Sequence, residues 1–240
     1  MRHIRGKTSP AVLAVICVLT ILGGCTPREP AVAETTADNS SAVITAKGDY
    51  TVSYTAEDTE AVWNEESACV LTLDGDTIAA SGTGVSVSGS RALITAPGIY
   101  VLRGSLDNGQ ILVDVSDSGT VLLVMDGASL SCSDNAPLYI HQADKTVLLL
   151  ADGTQNSVTD GEHYTLAEGT DEPNAAIFSK DDLTITGGGS LTVDATYNNG
   201  INCKDTLKIT GGSITVDAVG NGIKGLSLIH ISEPTRPLYI

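Results

Sequence analysis

Aspartate and asparagine side chains recur at nearly constant intervals in the C-terminal half of the chain. Asp194 precedes Asp217 by 23 residues, and Asn199 precedes Asn221 by 22 residues. Their carboxylate and amide oxygens are the ligands that Ca²⁺ prefers in proteins, at about 2.3–2.6 Å. The spacing therefore predicts a first row of metal ligands, which consists of Asp194, Asn198, Asn199, Asp217 and Asn221.

A second row of candidate metal ligands contains Asp181 and Asp205, which lie 24 residues apart, with Asp182 next to the first. Aspartate and asparagine are also common in turns, where their side chains bind backbone groups, and for any single residue this is the simpler explanation. Two stacked carboxylates, however, repel each other when no cation lies between them. For the two rows taken together, the pattern favours calcium.

Lys180 and Lys204 recur at the same 24-residue spacing and are candidates for a catalytic base. A lyase that acts on uronate polymers needs such a base, commonly with calcium to neutralise the substrate carboxylate. The alternative, which the adjacent acids favour, is that both lysines form ion pairs with the aspartates of the second row. His141 and His163 have no serine or cysteine partner at a recognisable spacing, so the sequence does not support nucleophilic catalysis.

These side chains belong to repeated units, because residues 176–201 align with residues 200–225. Each unit holds three short alternating segments, such as GINC, TLKIT and SITVD, separated by Lys-Asp, Gly-Gly and an Asn/Gly-rich corner. Three strands in about 22–24 residues, without helical periodicity, are typical of one coil of a parallel β-helix. Equivalent residues of successive coils stack about 4.8 Å apart. The sequence therefore predicts an all-β solenoid.

Looser versions of the same pattern extend the predicted coils over residues 111–225. A polar insertion at 155–174 interrupts them and is predicted to be a loop or hairpin that leaves the stack. Residues 43–110 are predicted to form irregular β-structure that caps the stack, with Trp63 covering its open end.

Four long strings in this part of the chain carry a family resemblance: GIYVLRGSLDNGQILVDV, LADGTQNSVTDG, DEPNAAIFSKDDLTITGGGSLTV and YNNGINCKDTLKITGG. They resemble the carbohydrate-binding domain family of large bacterial cell-surface β-helix proteins, whose architecture is similar to that of pectate lyases. The resemblance spans residues 63–225. It implies a right-handed parallel β-helix that binds calcium and polysaccharide, with cellulose and acidic pectic sugars as candidates. Family members are longer at the C-terminus, which implies an incomplete solenoid.

The N-terminus has the pattern of a bacterial export signal. A basic segment precedes the apolar run Ala11–Leu22, which is too short for a comfortable membrane span. The Leu-Gly-Gly-Cys junction that follows resembles a lipobox, which implies lipidation of Cys25; the alternative is an ordinary signal peptide with a chance cysteine. We therefore expect a signal peptide at 1–24, a tether at 25–42 and a domain anchored by lipid at the extracellular face of the cell membrane.

The last residues, 226–240, break the alternating pattern. The string LSLIHISEPTR at 226–236 resembles a translated sequencing adapter. We therefore predict that the natural chain continues beyond Gly225 and that His230 has no functional meaning. A foreign segment is also expected not to continue the coils.

The overall composition excludes one class of partner and leaves three classes of function. The chain carries 29 acidic and 13 basic residues, a net charge of −16, which opposes binding to the phosphates of nucleic acid. Cys69, Cys132 and Cys203 are odd in number and widely spaced, as expected for buried apolar side chains rather than a disulfide framework. The remaining classes are a calcium-dependent polysaccharide-binding module, a uronate lyase and a structural adhesin or spacer.

Overall fold

The computed structural model describes residues 43–45 and 51–230. Within them the protein is all-β, with eighteen strands, one short helix, α1 (Ala56–Thr59), and a 3₁₀ turn at Glu65–Ser67. The strands are, in chain order, β1 (Val43–Thr45), β2 (Thr51–Ser53), β3 (Cys69–Gly75), β4 (Thr77–Ala80), β5 (Val85–Ser88), β6 (Arg91–Ile94), β7 (Gly98–Leu106), β8 (Gln110–Asp114), β9 (Thr120–Cys132), β10 (Leu138–Gln142), β11 (Lys145–Leu150), β12 (Gln155–Asp160), β13 (Ala175–Ser179), β14 (Leu183–Gly187), β15 (Ser190–Ala195), β16 (Asn199–Ile209), β17 (Ser213–Ala218) and β18 (Ile223–His230).

Sixteen of these strands form a single sheet that nearly closes around an apolar interior. Its parallel pairs form three ladders. The first ladder runs β3-β7-β9-β11-β14-β16-β18, the second runs β6-β8-β10-β13-β16-β18, and the third runs β7-β9-β12-β15-β17. The long strands β9 and β16 each belong to two ladders, so the backbone bends from one ladder into the next without losing its pairing.

The interior is built from apolar columns in which each side chain packs on its equivalent in the next strand of a ladder. One column of the first ladder consists of Tyr100, Leu123, Leu148, Ile185 and Ile209, none of which is more than 6% exposed. Full burial of an aliphatic side chain stabilises a fold by about 1.5–3 kcal/mol. Alternation along each strand directs these residues inward and their neighbours outward.

The internal sequence repeat corresponds to strand pairing. Leu183 pairs with Leu207, and Asp194 pairs with Asp217, as the 24-residue and 23-residue spacings predict. At the N-terminal side the sheet ends in two antiparallel hairpins, β3-β4 and β5-β6. The first three residues of the C-terminal strand β18 continue both the 22-residue spacing and the second ladder.

The predicted insertion at 155–174 is wrong in its first boundary. Residues Gln155–Asp160 form β12, which pairs in parallel with β9 and β15, so the loop comprises only residues 161–174. The strand was obscured because its buried positions include Asn156 and Asp160, whose polar side chains hide the alternation. Asn156 is held inside by hydrogen bonds to the Ala128 amide and the Ser190 carbonyl.

The predicted position of Trp63 is also wrong. Its side chain does not cover the open end of the stack but packs beside the outward-facing apolar cluster of the first ladder, which includes Val101, Val124 and Val147. Because that face is as apolar as an interior surface, it needs a cover, and the segment around Trp63 provides one.

Residues 226–230 continue β18, contrary to the expectation for a foreign segment. They pair in parallel with β16, for example Leu228 with Leu207. Ladder pairing uses backbone groups, so it does not demand the alternation that the sequence lacks there. The side chains of Leu226 and Leu228 remain 82% and 49% exposed. Residues 231–240 and Cys25 lie outside the described residues, and no helix within the described part is long and apolar enough to span a membrane.

Candidate functional site

The first predicted row of metal ligands divides into two structural groups. Asp194 on β15 and Asp217 on β17 are in register, and both side chains are exposed. Asn199 instead is buried, and its amide nitrogen donates to the Asn174 carbonyl at 2.9 Å. Its amide oxygen accepts hydrogen bonds from the backbone and side-chain nitrogens of Asn221 at 3.1 and 2.9 Å. Asn174, Asn199 and Asn221 thus form an asparagine ladder along the corner, while Asn198 is half-buried beside it.

The second row acts mainly in turns. Asp181 accepts a hydrogen bond from the Ala143 amide at 2.8 Å, and Asp182 accepts one from the Thr206 amide at 3.1 Å. Asp205 is exposed. Within the described chain, no group of three or more His, Cys, Asp and Glu side chains is arranged to hold a metal ion. The hydrogen bonds of Asp181 and Asp182 to backbone amides are those that the turn-forming alternative predicts, and calcium at this row stays a prediction.

The two lysines do not pair with the aspartates of the second row. Lys180 and Lys204 share Glu172, at Nζ–Oε distances of 3.8 and 2.5 Å. Both ammonium groups are thus bound by a carboxylate, whereas a lysine that acts as a base is activated by burial or by a cationic neighbour. The arrangement suits electrostatic binding better than proton abstraction.

Lys180 and Glu172 line a groove of about 580 Å³ on the outer side of the second ladder, and Lys204 reaches its edge through Glu172. Tyr139 and His141 project from β10, Lys180 follows β13, and loop residues between Thr165 and Pro173 form the opposite wall. Because β10 alternates inward and outward residues, Leu138 and Ile140 are buried in the core while Tyr139 and His141 line the groove.

The aromatic floor of the groove is tightly packed. Phe178 pairs with Tyr139 in the ladder, is fully buried and meets the Tyr139 ring edge-on at a centroid distance of 5.6 Å. The Tyr139 ring is also 5.7 Å from that of His141, in a T-shaped arrangement. Burial raises the pKa of the Tyr139 hydroxyl, an effect that the charge of Lys180 opposes. Tyr139 therefore stays a neutral phenol with a fixed ring.

His141 is oriented by Asp114, whose Oδ1 lies 3.2 Å from its Nδ1. Both side chains are about half exposed. Asp114, on the adjacent strand β8, thus fixes the orientation of the imidazole ring through Nδ1. The opposite edge of the ring remains accessible from the groove.

The loop that forms the outer wall is fixed to the sheet. Tyr164 stacks on Tyr197 with ring centroids 3.9 Å apart, and its hydroxyl donates to Asp160 at 2.7 Å. Asp160 is almost completely buried and also accepts a hydrogen bond from the Thr196 amide at 2.6 Å. Burial, followed by the Asp160 charge, raises the pKa of Tyr164, which remains a hydrogen-bond donor. The wall is therefore preformed.

An open groove with an aromatic floor, an oriented imidazole and the ammonium group of Lys180 can bind a hydroxyl-rich or carboxylate-bearing ligand. Sequence reasoning missed Tyr139 and Glu172 as groove residues. The alternation of Tyr139 and His141 on one strand was an available signal. Glu172 had none, because an irregular loop brings it to two lysines that lie 24 residues apart.

Comparisons with known proteins agree with a role in carbohydrate recognition. Residues 88–236 match the family described as carbohydrate-binding domain-containing protein, and the chain belongs to that family. The match includes most of the segment 226–240, whose adapter origin stays a prediction. A carbohydrate-binding domain-containing protein of Acetivibrio thermocellus is 45% identical over 150 residues, which cover 62% of this chain and 52% of that relative. The chain thus spans about half the length of that relative.

The similarity extends to a solved structure. It is that of a polysaccharide lyase-like protein from C. thermocellum, determined as a gadolinium derivative. The two chains are 36% identical with a TM-score of 0.60, over 70% of this chain and 77% of the other.

Proposed function

We propose that this chain is a cell-surface module that binds polysaccharide, and that the groove between β10 and the loop at 161–174 is its binding site. The observation that carries the proposal is the groove itself, where Tyr139 presents an aromatic ring beside Lys180 and His141. Aromatic rings pack against the apolar faces of sugar rings, and a preformed wall lowers the entropy lost on binding. Family membership supports the same function.

Acidic plant-type polymers are the proposed ligand class. Lys180 and His141 line the groove and supply the donors that a uronate carboxylate needs, with Lys204 at its edge, although both lysines share Glu172 in the free protein. The alternative within the same class is a neutral plant polymer, for which the aromatic floor alone is sufficient.

The test is affinity electrophoresis of the soluble chain through polygalacturonate and, separately, through a neutral glucan. Tyr139→Ala is expected to weaken retardation by polygalacturonate about tenfold, because it removes the ring at the centre of the groove. His163→Ala, in the same loop but outside the groove, is the matched control. If Tyr139→Ala binds as well as the native chain, the groove is not the site. If the native chain is retarded by neither polymer, the structural spacer is the better function.

The fold proposed for the sheet is a right-handed parallel β-helix. Its support is the register of the three parallel ladders, in which positions one repeat apart are paired. Each repeat then contributes one strand to every ladder, and equivalent corner residues of successive repeats lie along one line.

Calcium dependence is proposed for the exposed pair Asp194 and Asp217. Their carboxylates belong to paired residues of adjacent strands, about 4.8 Å apart, which a single hard cation can bridge. The Asn199 side-chain oxygen already accepts hydrogen bonds from Asn221 and is not free to bind a metal. The two carboxylates therefore fit a calcium ion that keeps most of its water ligands, and they do not fit an ion coordinated by protein atoms alone.

Thermal melting with calcium and then with chelator tests the metal proposal. At a hundredfold excess over the dissociation constant, calcium is expected to stabilise the native chain by about 2.7 kcal/mol. Asp194→Ala should abolish that gain, whereas Asp74→Ala, on the hairpin strand β3, should retain it. A melting temperature that ignores calcium, or responds equally in Asp194→Ala, removes the site.

A uronate lyase is the second candidate function, favoured by the polysaccharide lyase-like description of the related structure. Lys180 is its candidate base, with Lys204 beside it. The ultraviolet absorbance of released unsaturated uronate measures the activity. Release that disappears in Lys180→Ala would establish a lyase, and no release from the native chain, with binding retained, would establish a binding module.

Anchoring through a lipid on Cys25 is proposed from the Leu-Gly-Gly-Cys junction and the tether that follows it. A chain carrying Cys25→Ser is expected in the soluble fraction of the expressing bacterium. Unchanged membrane retention of this variant would overturn the anchor.

A further inference from the structure

A second surface of the molecule has its own cavity, its own aromatic side chain and a different charge. We define residues 54–67 as the strap, which lies on the outward face of the first ladder. The second surface is formed where the strap meets this ladder. The strap covers the apolar cluster of Val101, Val124 and Val147. These three valines are fully buried, whereas Val62 of the strap itself remains 84% exposed.

The strap is fixed by one buried carboxylate. Asp58 is fully buried and accepts hydrogen bonds from Lys145 at 2.7 Å, Lys208 at 2.9 Å and the Thr184 hydroxyl at 2.6 Å. These partners lie on three successive strands of the first ladder, β11, β14 and β16. These contacts therefore fix the position of the following strap residues relative to the sheet.

Between the end of the strap and the ladder lies a depression of about 510 Å³. Trp63 forms one side of it, half-buried against the apolar cluster, and Glu60 stands on the same side. Asp126 lies within β9 and Asp152 follows β11, and both form the other side. The groove with Tyr139 belongs to the second ladder, so the two cavities lie on different ladders of the sheet.

The acids of the depression keep unused acceptor oxygens. Asp126 uses Oδ2 for the Arg103 guanidinium at 2.6 Å, and Asp152 uses Oδ1 for the Gly188 amide at 3.1 Å. Glu60 makes no side-chain hydrogen bond to another described residue. Among the described residues, the lining of the depression includes no lysine, arginine or histidine. An anionic ligand would therefore meet repulsion, whereas a hydroxyl group would find acceptors.

We propose that this depression is a binding site for an uncharged pyranose unit of a glycan, separate from the groove. The Trp63 ring packs against the apolar face of the sugar, and the carboxylates of Glu60, Asp126 and Asp152 accept its hydroxyl protons. The absence of lining cations directs uronates away from this site and towards the groove. Asp58 positions the site by anchoring the strap, and it does not contact the sugar.

The fluorescence of Trp63 tests the site directly, because it is the single tryptophan of the chain. Titration of the native soluble chain with a neutral β-1,4-linked glucose hexasaccharide is expected to shift Trp63 emission in a saturable way. An equal concentration of galacturonate oligosaccharide should leave the emission unchanged. No response to the neutral probe, or an equal response to both probes, would overturn the proposal.

Two variants separate this site from the groove. Glu60→Ala, an exposed position outside the packing of the strap, is expected to weaken the neutral hexasaccharide about tenfold, and Tyr139→Ala is expected to leave it unchanged. Loss of the fluorescence response in Tyr139→Ala would assign neutral sugar to the groove and contradict the second site. If polygalacturonate binding fails while the response of Trp63 remains, the proposed function of the groove fails and this inference stands.

Discussion

Glu172 holds two lysine ammonium groups at the edge of the groove and so limits how strongly they attract an acidic ligand. Lys204 lies 2.5 Å from one carboxylate oxygen and Lys180 lies 3.8 Å from the other. A uronate that enters the groove must compete with this internal carboxylate. In the proposed binding mode, Glu172 therefore competes with an acidic polymer for the two lysines.

Glu172→Gln is accordingly expected to strengthen binding of polygalacturonate about threefold to tenfold, because it removes one competing charge while keeping the side-chain shape. Titration calorimetry with a galacturonate oligosaccharide measures the change. Glu168→Gln makes the same charge change in the same loop at an exposed position and should have little effect. Weaker binding in Glu172→Gln would mean that Glu172 positions the lysines rather than competing for them.

Asp58 is the second residue whose charge has a defined consequence. Burial alone would raise the pKa of its carboxyl, but hydrogen bonds from Lys145, Thr184, Thr55 and Lys208 outweigh burial and lower the pKa well below its ordinary value. A carboxyl with a lowered folded-state pKa stabilises the fold at every pH above its unfolded-state pKa, near 4. That contribution is lost as the pH falls below about 4.

Asp58→Asn is therefore expected to lower the free energy of unfolding by about 3 kcal/mol at neutral pH, because two partly buried ammonium groups lose their counter-charge. Denaturant unfolding measures the loss. The difference from the native chain should shrink as the pH falls below about 4. Glu57→Gln, on the same helix, is the control and should cost less than about 1 kcal/mol. A difference that is constant with pH would show that packing, not charge, anchors the strap.

At the scale of elements, the corners between strands are held by side chains that form hydrogen bonds across neighbouring strands of a ladder. Asn199 is buried and links Asn174 to Asn221 through its amide nitrogen and oxygen. Asn199→Ala is expected to destabilise the chain by about 2 kcal/mol, since it removes the hydrogen bonds by which a buried amide links Asn174 and Asn221. Thermal melting measures the effect in chelator, which excludes any metal contribution.

Asn198→Ala is the matched control for the asparagine ladder, because it removes the neighbouring half-buried amide, which makes no side-chain hydrogen bond to a described residue. It should change stability by less than about 0.5 kcal/mol. Equal effects of the two substitutions would argue that the corner depends on turn conformation rather than on the ladder.

The same elements show which parts of the structure a sequence can reveal. Repeats that pair directly, such as Leu183 with Leu207, leave a periodic signal because each position faces the same environment in the next strand. Asp58 leaves none, because its partners lie 87 and 150 residues away and no local pattern encodes them. The groove could be predicted from the sequence only in part. Its strand residues alternate visibly, but Glu172 reaches them from an irregular loop.

At the scale of the whole molecule, the net charge of −16 opposes the proposed acidic ligand. The lysines of the groove act over a short range and are partly neutralised by Glu172, whereas the repulsive field of the whole chain extends over a Debye length. The net negative charge of the chain therefore slows the approach of an acidic polymer, whereas the positive charges of the lysines strengthen its final contact with the groove.

This opposition predicts an unusual dependence of binding kinetics on salt. Raising monovalent salt from about 10 mM to about 100 mM shortens the Debye length from about 30 to about 10 Å. We expect the association rate with polygalacturonate to rise severalfold, because screening removes the long-range repulsion, while the dissociation rate also rises, because the lysine contacts weaken. Surface plasmon resonance measures both rates, with a neutral glucan as the control whose association rate should not change. An association rate that falls with salt would show that the positive groove dominates the field that an approaching acidic polymer meets.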